Sequence, residues 1–329
     1  MTGAAAPLHL EVADAPADGR AFWLETSDGV RLRAAVWPAG DRAGAQARGA
    51  AIVFPGRTEY VEKYGRVVSR LAERGLAAVV IDWRGQGLSQ RLGATPALGH
   101  VEDFRHYQRD VAALLANEAV AELPGPRVMV AHSMGACIGL RTLLEGSHFD
   151  AAIFSAPMWH LQMRAATREL TSKMTHLANM LGLGQRLMPG ANAEPTAIAV
   201  GFEGNALTSD REHFAWALAQ ITAHPELSLG GPSVQWTRAA LEEMAKLYVA
   251  PLPTLPVLVF LGSEESVVSA SMIRAQVGQM QRGELEILPG ARHEIFMEGP
   301  ETQAAVWARI DRFLAALPTR RGRTAGVGA

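Results

Sequence analysis

Residues 21–26 and 30–37 alternate apolar and polar side chains on either side of Ser27-Asp28-Gly29, a turn-forming triplet, and so predict a β-hairpin. A loose Ala/Gly/Arg stretch, 39–48, follows. At Ala50-Ala-Ile-Val-Phe54 the alternation gives way to an unbroken apolar run of the kind buried on both faces of a parallel sheet. Tyr64, Val67, Val68 and Leu71 then recur at helical spacing, and Arg74-Gly75 supplies a stop. A second apolar run, 76–81, precedes Phe104, Tyr107, Val111, Leu114 and Leu115, which share one face of a helix over 103–119. Strand 127–131 runs straight into another helix, and 149–155, 256–261 and 284–288 are further strands. Helices are expected over 269–281 and through Val306, Ile310, Phe313 and Leu314. Repeated β-α units of this length predict an α/β fold, a mostly parallel sheet with helices on both faces.

Between Pro157 and Pro251 the alternation stops. Leu170, Met174, Leu177 and Leu181 fall on one helical face. Ser209 and Glu212 form a capping-box pair ahead of Phe214, Leu218 and Ile221, and 234–247 predicts a third helix. A helical insertion that leaves the sheet at the carboxyl end of a strand overhangs the crevice where open α/β sheets bind ligands. The expected organisation is a core of residues 21–156 and 251–318, a helical cap of 157–250 serving as a lid, and flexible ends at 1–20 and 319–329.

Composition narrows the function. The 329 residues carry 31 Lys and Arg against 33 Asp and Glu, a net charge of -2, so no overall basic balance favours nucleic acid. Cys137 is the single cysteine and falls inside a helix, which excludes a disulfide within the chain and suits a reducing compartment. No signal-peptide pattern opens the sequence, and no run of about 18 uncharged apolar residues occurs. A cytoplasmic protein is expected, with Arg320, Arg321 and Arg323 in the tail as the group able to touch an anionic membrane.

The chemistry concentrates where strand 127–131 becomes a helix. In Ala131-His132-Ser133-Met134-Gly135, small residues stand two before and two after a serine, as a sharp strand-to-helix turn requires. The usual pattern, G-x-S-x-G, has glycine where this chain has Ala131. Ser133 is thereby thrust out at the end of a strand, beside the unpaired N–H groups of a helix first turn. A serine hydroxyl is a weak nucleophile at neutral pH and needs a base, held in turn by a third group. Of ten histidines, His293 lies in the loop after the last predicted strand, at the same sheet edge as Ser133, whereas His132 is expected to point away. The orienting acid is Glu265 or its neighbour Glu264, with Glu265, three residues past the glycine that ends its strand, preferred. Two backbone N–H groups are required for the oxyanion, and Met134 and Arg57 present them. The Arg57 guanidinium is placed either to reach a substrate phosphate or to pair with Glu59 or Glu62. No metal-ligand spacing, phosphate loop or dinucleotide fingerprint occurs, so neither metal nor cofactor is expected.

The order Pro55-Gly-Arg-Thr-Glu-Tyr60, Asp82-Trp-Arg-Gly-Gln-Gly-Leu-Ser89, Ala131-His-Ser-Met-Gly135, Gly262-Ser-Glu-Glu265 and Ala291-Arg-His293 resembles the monoglyceride lipase and bacterial lysophospholipase branch of the serine α/β-hydrolases. That family carries a His-Gly-x-Gly type oxyanion loop where this chain has Pro55-Gly-Arg-Thr58. The resemblance implies the α/β-hydrolase fold and cofactor-free hydrolysis of a fatty-acyl ester of glycerol or glycerophosphate. It also implies an apolar acyl channel in the cap, for which Met158, Trp159, Met163, Met174 and Leu177 are the candidates, since methionines adapt to lipid tails. Two alternatives stay open on the same fold, a small-ester carboxylesterase and a non-catalytic lipid-binding or interaction protein.

Overall fold

The computed structural model describes residues 3–39, 47–146 and 148–317, and an eight-stranded sheet organises them. The first part of the chain gives α1 (Leu10–Ala13), β1 (Arg20–Glu25), β2 (Arg31–Trp37), β3 (Gly49–Phe54), α2 (Gly65–Ala72) and β4 (Leu76–Asp82). Next come α3 (His106–Ala116), α4 (Glu118–Ala121), β5 (Arg127–His132), α5 (Met134–Glu145) and β6 (Ala151–Ser155). Helices α6 (Ala165–Met180), α7 (Thr196–Val200), α8 (Arg211–Ala223) and α9 (Val234–Val249) follow without an intervening strand. The chain then returns through β7 (Val257–Gly262), α10 (Ala270–Val277), β8 (Gly283–Leu288) and α11 (Pro300–Ala315).

Strand order is β1-β2-β4-β3-β5-β6-β7-β8. At one edge β1 pairs antiparallel with β2 and β2 antiparallel with β4, and the five other pairings are parallel. Each of β3, β4, β6 and β7 is buried along its whole length, as unbroken apolar runs demand when helices cover both faces. Two apolar layers result. One gathers α3, α5, α9 and α10 against Ile52, Phe54, Met129 and Phe154, and the other gathers α2 and α11 against Val53, Val80, Val130 and Phe260.

Several expectations are revised. The helix over 103–119 breaks at Asn117, whose side chain accepts the Ala119 N–H at 3.0 Å and starts α4. The residue capping α8 is Asp210, which accepts from His213 N at 2.7 Å, because Ser209 is drawn to Glu298 instead. Residues 3–19 are not a flexible end. Ala6 N and Trp23 N bond across to Ala21 O and Ala4 O, and Pro7 O accepts from the buried Arg33, so the segment closes the open side of β1. The tail arginines Arg320, Arg321 and Arg323 lie outside the described residues.

Helix α6 has the expected period with the opposite orientation. It packs toward α9 through Thr171, Thr175 (2% exposed), Ala178 and Asn179, while Met174 (57%), Leu177 (51%), Leu170, Met180 and Leu181 face outward. Thr175 and Asn179 satisfy their polar groups on carbonyls one turn back along α6, which lets a small, polar stripe pack closely. Among the described residues the apolar stripe meets no partner.

Candidate active site

Parallel pairing of β3, β5, β6, β7 and β8 brings all their carboxyl ends to one edge, and every side chain singled out for chemistry sits within a few residues of that edge. Ser133 adopts φ 47° and ψ -113°, a left-handed backbone that a non-glycine residue holds only when its surroundings enforce it. Here Ser133 N donates to Ser155 O at 3.0 Å, and Ser133 O accepts from Met158 N at 3.0 Å and Ala136 N at 3.0 Å. Gly135 is required because a Cβ there would overlap the carbonyl oxygens of Phe54 and Pro55. The Cβ of Ala131 is accommodated in the core, so alanine substitutes at that end of the turn without cost to its geometry.

Ser133 Oγ lies 2.9 Å from His293 Nε2, and His293 Nδ1 lies 2.8 Å from Glu265 Oε2. The other Glu265 oxygen accepts from Val267 N at 2.6 Å and Val268 N at 3.1 Å, which fixes the carboxylate independently of the imidazole. Burial pushes Glu265 upward, but the bond from His293, the imidazole's charge and the two N–H donors outweigh it and hold the carboxyl below its usual range. Glu264 is exposed, with its N–H on Ala291 O, and does not touch His293. Gly262 lets the two loops approach, since a side chain there would strike Ala291 O and Arg292 O.

The loop after β3 is built for anion stabilisation. Among the described residues, the N–H groups of Arg57 and Met134 donate to no protein acceptor. The loop is held by groups that sequence reasoning did not assign. Gln86 Nε2 donates to Gly56 O at 3.0 Å while its Oε1 accepts from Thr58 N at 3.2 Å, and Trp83 Nε1 donates to Pro55 O at 2.9 Å. Glu59 accepts from Gly56 N and, at 2.6 Å, from the Tyr64 hydroxyl. Asp82-Trp-Arg-Gly-Gln-Gly thus supports the oxyanion loop through Trp83 and Gln86. Asp82 also receives Arg33 Nε, Val61 N and Leu88 N, and Arg84 is tied to Asp110 and Asp28.

Behind this loop Lys63 Nζ bridges Glu59 at 3.0 Å and Glu294, the residue after His293, at 2.6 Å. All three are buried. The ammonium therefore ties the oxyanion loop to the histidine loop. His132 does not point away: its ring centroid is 4.9 Å from that of His293, with Nδ1 3.1 Å from Ser155 O, and burial depresses its pKa. Glu59, His132 and Glu294 have ligand atoms close enough to hold a metal ion, but Lys63 already bonds both carboxylates. The Glu59 to Lys63 spacing of four residues was the visible signal for this pair.

A substitution tests the tie. Lys63→Met leaves two buried carboxylates without their cation, and an expected loss of about 3–5 kcal/mol in urea unfolding follows from breaking a buried pair. Burial alone would raise Glu59, yet Lys63, His132, Tyr64 and Gly56 together hold it down, from an ordinary 4.5 to about 2. A carboxylate depressed on folding stabilises fully above its ordinary value and loses that contribution as pH falls toward its folded one. Wild type should lose stability as pH drops below about 4.5, whereas Lys63→Met should gain stability between neutral pH and pH 5 as an uncompensated carboxyl takes up a proton. Parallel pH curves for the two proteins would remove Lys63 from this role.

The proposed acyl contacts fare unevenly. Met158 is buried directly under the serine turn, and Met163 is half-buried. Trp159 is a core side chain instead, its Nε1 donating to Ala136 O at 3.1 Å and its ring edge-on to Phe154. Met174 and Leu177 face out from α6 and are largely exposed. The cap reaches the histidine loop by another route. Glu298 receives Ser209 N, Ser209 Oγ and Arg292 N, and Glu294 N donates to Leu207 O at 2.7 Å.

Comparison with known proteins gives a consistent picture. The profile of the family described as Serine aminopeptidase, S33 (Hydrolase_4) matches residues 45–300. Lysophospholipase L2 of Escherichia coli K12 is 30% identical over 288 residues, covering 80% of this chain and 79% of that protein. A probable lysophospholipase L2 of Haemophilus influenzae is 27% identical over 265 residues, covering 80% and 82%. In fold, the chain is similar to a soluble variant of Saccharomyces cerevisiae monoglyceride lipase crystallised with a substrate analogue. The TM-score is 0.68 at 22% identity, covering 90% of this chain and 95% of that one.

Proposed function

The chain belongs to the Serine aminopeptidase, S33 family of hydrolases, and within it we propose a carboxylic ester hydrolase that cleaves the fatty-acyl ester of a lysophospholipid or a monoacylglycerol. The observation that carries this reading is the unbroken hydrogen-bonded chain from Ser133 Oγ through His293 to Glu265. Ser133 Oγ attacks the ester carbonyl as His293 Nε2 takes its proton, and Glu265 stabilises the imidazolium. The Met134 and Arg57 N–H groups receive the oxyanion. His293 returns the proton to the departing glycerol oxygen, leaving an acyl-serine. Water, activated by the same imidazole, then releases the fatty acid and restores Ser133. Every step uses groups of this chain, so the reading needs no cofactor.

An aminopeptidase needs an anionic group to receive the substrate's ammonium. Here the charge next to the oxyanion loop is the Arg57 guanidinium, and Glu59 is committed to Lys63 and Tyr64. Among the described residues no helix is long and apolar enough to cross a membrane. We read the protein as cytoplasmic, with transient contact at a lipid surface through the outward apolar stripe of α6. The test is a panel of lysophospholipids, monoacylglycerols and acetyl esters at graded chain length. Preference for long acyl chains is expected; preference for acetyl esters would replace this reading with a small-ester carboxylesterase. Failure of a fluorophosphonate to label Ser133 in folded protein would favour a non-catalytic binder.

A further inference from the structure

Arg57 is an unneutralised cation in the loop that carries the proposed oxyanion donor. Its Nη2 donates to Gly230 O at 2.6 Å, and its guanidinium carbon lies 5.1 Å from the centre of the Trp236 ring. Its Nη2 packs so closely on Gly99 that a Cβ there would collide with it. Nε is enclosed and bonds to nothing. Neither of the carboxylates that sequence proximity offered is available. Glu62 receives both terminal nitrogens of Arg33 at 2.7 Å, and Glu59 is held by Lys63, Tyr64 and Gly56. Among the described residues Arg57 forms no salt bridge, and burial pulls it down to about 10 with Tyr107 the sole group opposing. It is still protonated at neutral pH.

Arginine is the side chain whose planar fork matches a phosphate, and an enclosed cation without a counter-ion is a site for one supplied from outside. The position adds the second half of the argument. Arg57 directly follows Gly56, whose Cα faces the His132 ring, and its own N–H is proposed for the oxyanion. The side chain leaves that point toward Gly99, Gly230 and Trp236, where the loop before α3 meets the strap leading into α9. The guanidinium and the N–H proposed for the oxyanion belong to one residue, so no more than the length of one arginine side chain separates them.

We infer that Arg57 is the head-group residue of this enzyme, binding the phosphodiester of a lysophospholipid through its free Nε and the adjoining terminal nitrogen, and so selecting phosphorylated glycerol esters over neutral ones. This rests on the acyl-ester reading above and adds the substrate class. The opposing account is a clamp, with Arg57 serving only to hold Gly230 and the strap.

The experiment uses full-length wild type, Arg57→Met and Arg57→Lys in phosphate-free buffer. Substrates are a lysophospholipid and a monoacylglycerol with the same decanoyl chain, both below their micelle thresholds. The quantity read is the ratio of kcat/KM for the two. Arg57→Met should lower that ratio by about 100-fold, mostly through KM of the phosphorylated substrate, as the loss of a charge-assisted bond implies. Arg57→Lys should recover part of it. Equal losses on both substrates, with the ratio unmoved, would leave Arg57 as a clamp and overturn the inference. A calorimetric titration of decanoyl lysophosphatidylglycerol, a phosphodiester, into Ser133→Ala separates this failure from that of the hydrolytic reading. Binding that disappears in Ser133→Ala/Arg57→Met supports the head-group role even without turnover, and binding that persists there overturns it. Inhibition by millimolar inorganic phosphate with no change in the substrate ratio would point to a free-anion site and overturn it as well.

Discussion

Ser133→Ala is expected to lower kcat for acyl-ester hydrolysis by about 10^4–10^6-fold, with KM little changed. The methyl group cannot form the acyl intermediate, and the 2.9 Å bond to His293 Nε2 is lost with the hydroxyl. Residues that act as one unit are non-additive, so Ser133→Ala/His293→Ala should be no slower than the worse single variant. Burst kinetics with a chromogenic ester provide the measurement, because the acyl-serine burst should vanish together with turnover. A variant retaining a tenth of wild-type activity would remove Ser133 from the reaction.

The second large effect is expected at Glu265. Glu265→Gln keeps the oxygen that accepts from Val267 and Val268 but turns an amide NH2 toward His293 Nδ1. That nitrogen must then accept, which places the ring proton on Nε2, the nitrogen that has to receive the proton of Ser133. The wrong tautomer, with packing otherwise intact, should lower kcat by about 10^4-fold, while the thermal midpoint stays near that of wild type. Glu264→Gln is the control, since Glu264 is exposed and does not reach the imidazole. A larger loss at Glu264 than at Glu265 would transfer the orienting role.

What sequence made legible follows from which forces were local. Apolar runs such as Ala50–Phe54 announce two-faced burial wherever they occur, so the sheet could be read directly. Small residues around Ser133 and the glycine before Glu265 answer steric demands made within a few residues, and those too were visible. The contacts that were missed span the chain. Gln86 on Gly56, and Lys63 between Glu59 and Glu294, depend on loops whose approach only the assembled sheet decides. Helix α6 failed for a different reason: periodicity locates a stripe but not the side from which its neighbour comes, and Thr175 rather than Met174 met α9. Residues 3–19 looked disordered because their bonds are made by backbone atoms to β1 and by Arg33, neither of which leaves a trace in local composition.

The cap departs after β6 and the chain comes back as β7, and these strands lie side by side, with Ala152 opposite Val257 and Ser155 opposite Phe260. Topologically the whole excursion is one long bulge between two adjacent staves. Closure entropy rises only by roughly 0.6 kcal/mol per doubling of such a connection, so a different roof can be grafted here without altering the register beneath. What a graft must reproduce is the strap from Asn205 to Ser209 that grips Arg292 and Glu298, together with α9, which fills the core beside α3 and α5 and pairs Glu243 with Arg141. The segment between β6 and α9 can therefore be exchanged to reshape the chamber while Ser133, Glu265 and His293 stay on their own strand ends.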